Sequence, residues 1–177
     1  MEIKNNFIND LINITNQNPS LCYQCGKCSA GCPLRKYMDL APNQVVRFVQ
    51  LGKYDQALQS KTIWLCAGCM NCAARCPKNF DLHRFMDAMR ELAIRNNVKP
   101  ADSKVASFHS SSMKQIKKHG KLNEFGLIFD YKLNTLDLLQ DVDNAPKMVM
   151  NGKISFISHN VKNKNEINKI FKKLENK

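Results

Sequence analysis

Residues 22–33 read CYQCGKCSAGCP, and residues 66–77 read CAGCMNCAARCP. Both are C-x2-C-x2-C-x3-C-P, and each cysteine of the second lies 44 residues after its counterpart in the first. The two stretches use all eight cysteines of the chain. Thiols this dense, repeated in register with none left over, form a ligand pattern rather than a packing pattern.

The spacing has a physical reading. Two-residue gaps let a tight loop wrap one polynuclear centre and aim three thiolates at it. The three-residue gap turns the fourth thiolate away, and proline leads the chain off the loop. The same run holds cubane [4Fe–4S] clusters in bacterial-type two-cluster ferredoxins, where the fourth cysteine ligates the other cluster. On that pattern Cys22, Cys25 and Cys28 pair with Cys76, and Cys66, Cys69 and Cys72 pair with Cys32. Gly26, Gly31 and Gly68 are expected to let main-chain N–H groups reach the sulfurs, one of the levers on reduction potential. Structural zinc needs only CxxC pairs and explains neither the third cysteine nor the proline. A disulfide framework does not fit the cytoplasmic setting read from the N-terminus, because MEIKNNFINDLI lacks a basic segment followed by an apolar one and so carries no secretory signal.

Composition is ordinary for a globular chain of 177 residues, with 44% hydrophobic and 24% charged residues. The net charge of +12 is not. Eight thiolates and two oxidised cubane cores would lower it to about +8. Such a balance is open to nucleic acid, anionic lipid or an acidic protein. No apolar stretch approaches the roughly 20 residues that cross a bilayer, so no membrane span is expected.

Helical periodicity dominates the rest. Ile3, Phe7, Leu11 and Ile14 predict a helix over residues 3–14, ended by Asn18 and Pro19. Pro42 suits the first turn of the next, with Val45, Val46, Phe48 and Val49 on its apolar side and Gly52 as its stop. A short helix runs from Tyr54 to Leu58. Asp81 caps a long helix whose stripe is Leu82, Phe85, Met86, Met89, Leu92 and Ala93, read as core. Pro100 marks a boundary. Beyond it, Phe108, Met113 and Ile116 predict a helix stopping near Gly120, Leu136, Leu138 and Leu139 another, and Ile167, Ile170, Phe171 and Leu174 a last one. KISFIS at 153–158 alternates like a short strand. The expected fold is mainly α: an α-helical ferredoxin domain with two [4Fe–4S] loops over 1–99, and a mostly helical C-terminal extension over 100–177 that docks a partner or packs on its own domain.

No further motif carries chemistry. Neither G-x-G-x-x-G nor a P-loop is present, so nucleotide or flavin binding is not expected. His83, His109, His119 and His159 read as surface or packing residues. Lys27, Arg35, Arg75 and Lys78 beside the cysteines read as solvated charges. No catalytic residue is assigned.

The duplicated motif, its 33-residue helical spacer and the following FDLHRFMDAMRELAI resemble the C subunit of the soluble heterodisulfide reductase of methanogenic archaea. SFHSSSMKQIKKHGKLNEFGL and KMVMNGKISFISH in the tail look like that family's segments after the second cluster. The resemblance runs from about Ser20 to His159. It implies a non-catalytic, cytoplasmic electron-transfer protein with two [4Fe–4S] clusters. Such a protein relays electrons from the flavin-containing, iron–sulfur A subunit to the catalytic B subunit, which reduces the mixed disulfide of coenzyme M and coenzyme B in methanogenesis. A hydrogenase or formate dehydrogenase feeds the assembly. Catalytic partners of that kind use CCG-type motifs, and this chain has no adjacent cysteines. The alternatives are a relay protein of another anaerobic oxidoreductase complex and a nucleic-acid-binding protein with structural clusters. No nucleic-acid module is recognisable, which argues against the second.

Overall fold

A computed structural model describes residues 6–135, 161 and 163–175. Those residues are helical wherever they are regular, with no strand among them. The KISFIS segment, the helix expected around Leu136, and Ile3 lie outside the described residues. The chain divides into two compact units, Met1–Asp102 and Ser103–Lys177.

In the first unit, α1 (Phe7–Thr15), α4 (Tyr54–Leu58) and α5 (Lys61–Leu65) all pack on α7 (Leu82–Arg95), while α3 (Pro42–Gln50) packs on α4. The long helix α7 organises the core because its stripe is continuous. Leu82, Phe85, Met86, Met89, Leu92 and Ala93 are buried, as the periodicity predicts, joined by Ala88. Burying each of the larger ones is worth about 1.5–3 kcal/mol. Asp81 caps its start, accepting from the Arg84 N–H at 3.1 Å. Phe7 of α1 stacks on Tyr54 of α4 with ring centroids 4.4 Å apart.

Pro42 opens α3 as expected, and the helix ends in a Schellman turn. Lys53 N–H reaches Phe48 O at 2.8 Å and Gly52 N–H reaches Val49 O at 3.1 Å, with Gly52 at φ +69°. The end of α1 differs from expectation. The helix stops at Thr15, with left-handed Asn16 as its cap, before Asn18 and Pro19 begin a separate 3-10 turn. Two one-turn helices, α2 (Lys27–Ala30) and α6 (Asn71–Ala74), belong to the cysteine loops and pack on each other.

In the second unit, α8 (Ser103–His119) packs on α9 (Glu124–Thr135) and on α10 (Lys164–Glu175). Helix α8 stops beside Gly120, as expected, but its buried residues are Ser111 and Gln115. Phe108 and Met113 are exposed instead. Asn134 donates to Ser111 Oγ at 3.2 Å, and Gln115 donates to Asp130 Oδ2 at 2.5 Å. A Cβ at Gly126 would collide with the Gln115 carboxamide, so glycine there lets α8 and α9 close on this polar seam.

Candidate metal centre

The two cysteine loops are one backbone built twice. In each, the first cysteine follows a short helix, the third lies in α2 or α6, and the fourth lies just beyond it. Hydrogen bonds repeat at the 44-residue offset. Ser29 N–H to Gly26 O and Ala73 N–H to Met70 O are both 3.0 Å, and Cys32 N–H to Ser29 O and Cys76 N–H to Ala73 O are 3.3 and 3.2 Å. Positive φ repeats too: Gln24 and Gly68 both stand at +65°, and Gly26 and Met70 at +76° and +60°. Each loop fills one left-handed position with glycine and forces the other on a residue with a side chain.

Even the anchoring of the first cysteine is repeated, by different chemistry. The Cys22 carbonyl accepts from Gln50 Nε2 of α3 at 2.7 Å, and the Cys66 carbonyl accepts from an Arg90 guanidinium nitrogen of α7 at 3.2 Å. Gln50 Nε2 also donates to Pro19 O at 2.9 Å. These anchors were not legible in the sequence, since a Gln or Arg reaching 24 to 28 residues back along the chain leaves no local signal.

The eight thiols ring two cavities. One is lined by Cys66, Cys69, Cys72 and Cys32, with Pro33, Met38, Leu82 and Met86 as apolar walls. The other is lined by Cys22, Cys25, Cys28 and Cys76, with Cys72 on the shared wall and Val46, Phe80 and Leu82 behind. Phe80 N–H donates to Cys76 Sγ at 3.3 Å.

Burial pushes the Cys22, Cys28 and Cys66 thiols up, and Cys72 up to about 11, where the nearby Cys66 sulfur adds to the effect. Cys25 is the reverse. The Lys27 N–H and then the Tyr23 hydroxyl hydrogen-bond its thiolate and hold it below the usual thiol range. Ligand binding here displaces protons, which makes assembly easier as pH rises.

The donor set fits an iron–sulfur cluster better than a single ion. Tetrahedral zinc at about 2.3 Å needs its sulfurs within about 3.8 Å of one another. Among the described residues, no group of three or more His, Cys, Asp or Glu side chains is gathered tightly enough to hold one metal ion. Soft thiolates standing apart around an apolar void match a polynuclear core.

The other residues singled out in the sequence separate. Gly68 presents its N–H to the Cys66 sulfur. Gly31 serves another purpose: a Cβ there would meet the Arg75 side chain at 2.6 Å. Arg35 donates to Met38 O at 3.1 Å, a structural contact, and Lys78 lines the second cavity. His83 lines the first, 3.3 Å from Asp87, while His109 and His119 lie in α8 and His159 lies outside the described residues.

A family of 4Fe-4S dicluster domains matches residues 21–81, which hold both loops and the spacer. The C subunit of the ferredoxin:CoB-CoM heterodisulfide reductase of Methanosarcina acetivorans is 36% identical over 78 residues, 44% of this chain and 31% of that one. The iron–sulfur C 2 subunit of the CoB–CoM heterodisulfide reductase of Methanocaldococcus jannaschii is 31% identical over 116 residues, 60% of this chain and 62% of that one. The corresponding protein of Methanopyrus kandleri is 34% identical over 74 residues, 42% and 38% of the two chains. Over these stretches the chain is similar to heterodisulfide reductase C subunits. Its match takes in between 31% and 62% of the length of these curated relatives. The dicluster match makes residues 21–81 an iron–sulfur domain of the 4Fe-4S type. Among the described residues no helix is long and apolar enough to cross a membrane.

Proposed function

We propose that this chain holds two [4Fe–4S] clusters, on Cys22, Cys25, Cys28 and Cys76 and on Cys66, Cys69, Cys72 and Cys32, and relays electrons within a heterodisulfide reductase. The carrying observation is the pair of adjoining thiol-ringed cavities, each with three cysteines from one loop and the fourth of the other along its wall. A bound cubane accepts and returns one electron at a time without bond making. The protein's part is to saturate it with thiolates, keep water off with Met38, Met86, Val46 and Phe80, and keep the two sites side by side. No cysteine remains to open a substrate position.

On this reading electrons come singly from the flavin-containing, iron–sulfur A subunit and leave to the catalytic B subunit, which reduces the coenzyme M–coenzyme B heterodisulfide. A hydrogenase or formate dehydrogenase supplies them, and the assembly is cytoplasmic. The names of the relatives, which include a ferredoxin-linked and an H2/formate-linked reductase, support the reaction and the range of donors. The unit from Ser103 to Lys177 is proposed to contribute to partner docking, supported by exposed Phe125, Phe129 and Ile170.

Reconstitution tests it. Anaerobically prepared chain should carry about eight iron and eight sulfide. It should show no heterodisulfide reduction alone, and should gain it only with an electron donor and a CCG-type catalytic partner. Turnover by the isolated chain would sink the relay, and zinc in place of iron would sink the clusters.

A further inference from the structure

The two loops share their main-chain donors but not their side-chain donors. The Gln24 N–H faces the Cys22 sulfur as the Gly68 N–H faces that of Cys66, and the Ser29 N–H serves Cys28 as the Ala73 N–H serves Cys72. In the first loop alone, side chains add to these. Gln24 Nε2 donates to Cys22 Sγ at 3.4 Å, and the Tyr23 hydroxyl stands near the Cys25 thiolate and favours its charged form. At the positions 44 residues on stand Gly68 and Ala67, which have no side-chain donor to offer.

Gln24 is not free to turn. Ser29 Oγ donates to Asn43 Oδ1 at 2.5 Å, and Asn43 Nδ2 then donates to Gln24 Oε1 at 3.1 Å. With its oxygen claimed, the amide must point its nitrogen at the sulfur. The second hydrogen of that nitrogen reaches toward Gln50 Oε1 at 3.5 Å, on the same side chain that anchors Cys22. Ser29 Oγ also lies 3.8 Å from Cys28 Sγ, but its one hydrogen is committed to Asn43, so it acts as a brace rather than a donor. The position equivalent to Ser29 is Ala73, and the brace is missing there as well.

We propose that Gln24, held by Asn43 and Ser29, and Tyr23 make the cluster of the first loop the easier of the two to reduce, so that electrons run from the second loop to the first. Reduction adds negative charge to the core and its sulfurs, and an N–H or O–H aimed at a sulfur stabilises the reduced form more than the oxidised one. Fixed charges favour the same order. Lys27 and Lys78 border the cavity of Cys22, Cys25 and Cys28, whereas Arg90 beside Cys66 is paired with Asp87. One electron lost at the second site is one gained at the first. A low-potential one-electron donor protein then docks nearer the second loop, and the acceptor nearer the first. The ordering rests on the two-cluster reading, but not on which fourth cysteine closes which site, because both donors touch thiols of their own loop.

The test is an EPR-monitored reductive titration of the full-length, cluster-loaded chain, with iron determined for every sample. Gln24→Gly copies the second loop and suits the left-handed backbone, and Tyr23→Phe removes only a hydroxyl. In each, the more positive of two midpoints is expected to move negative, further in the double variant, while the other midpoint stays. Movement of the less positive midpoint would reverse the order and overturn the proposal. Unmoved midpoints at full iron content would show that these donors do not tune the site, and overturn it too. A single step with half the expected iron in the unaltered chain would overturn the two-cluster reading and the ordering with it.

Discussion

Asp39 caps a helix to which it does not belong. Ser60, at the N-cap of α5, makes no capping bond of its own. Asp39 takes its place from 22 residues upstream, with Oδ2 accepting from Lys61 N–H at 2.8 Å and Oδ1 from Thr62 N–H at 3.0 Å and Thr62 Oγ1 at 2.7 Å. Partial burial works against the charged carboxylate, but the bonds from the Thr62 hydroxyl and from the Lys61, Leu40 and Thr62 N–H groups outweigh it and hold Asp39 below the ordinary carboxylate range. Because the folded pKa is depressed, the stabilisation is complete above the unfolded value near 3.9 and is lost as pH falls through the folded value. Asp39→Ala should cost about 1–2 kcal/mol near neutral pH by denaturant unfolding of the loaded chain. In Asp39→Asn the acid-side fall in stability below about pH 4 should be shallower. Helix α5 leads straight into Cys66, so the same change should speed iron loss from the second loop. Gly68→Ala should do so more severely. Its φ of +65° disfavours any side chain, and the new Cβ would meet His83 Nε2 at 3.0 Å.

At the scale of elements, legibility followed locality. Pro42, Gly52 and Asp81 act within one turn of where they sit, and each does what its type predicts. Asp39, Gln50, Arg90 and Asn43 act across 14 to 28 residues through single side chains, which no periodicity records. Helix α9 is illegible for another reason: FGLIF puts apolar residues on all sides, so no stripe stands out. The α8 pattern misled about its face, because a polar seam with Asp130 and Asn134 outbid Phe108 and Met113 for the interior. Helix ends provide the cleanest test. Helix α7 closes with the same Schellman turn as α3, but with Asn97 at φ +52° where α3 has Gly52. Nothing lies within 4 Å of a Cβ at Gly52, so Gly52→Ala should cost about 1 kcal/mol from backbone strain alone. Asn97→Gly should be neutral to slightly stabilising, by a few tenths of a kcal/mol. Thermal or denaturant unfolding of the loaded protein reads both.

For the whole molecule, the cavities lie inside the unit that ends at Asp102, and the cysteines that ring them hold its loops. Removing iron leaves the thiols facing empty space, and binding energy lost there is folding energy lost. Anaerobic chelation should therefore strip hydrogen-exchange protection from α2, α6 and the start of α7. Amides of α8 and α9, with their own seam, should keep theirs. Equal loss in both units would show that the two do not fold separately.

Gly31 and Arg75 occupy the same place in the two loops, 44 residues apart, and they touch. Cys28 and Cys72 are likewise equivalent and near enough to influence each other. Equivalent positions that meet must lie on an axis relating the halves, as in an isologous dimer. If the chain descends from a half-length peptide that paired with itself, two arginines at that place would have competed for one space, and one of them would have had to turn out into solvent. The glycine–arginine pair is then a mark left after duplication and fusion, when the halves were free to diverge. It also keys the seam. Gly31→Arg alone should lose iron faster than the unaltered chain, while adding Arg75→Gly should slow that loss, because the exchange returns the space to a single side chain.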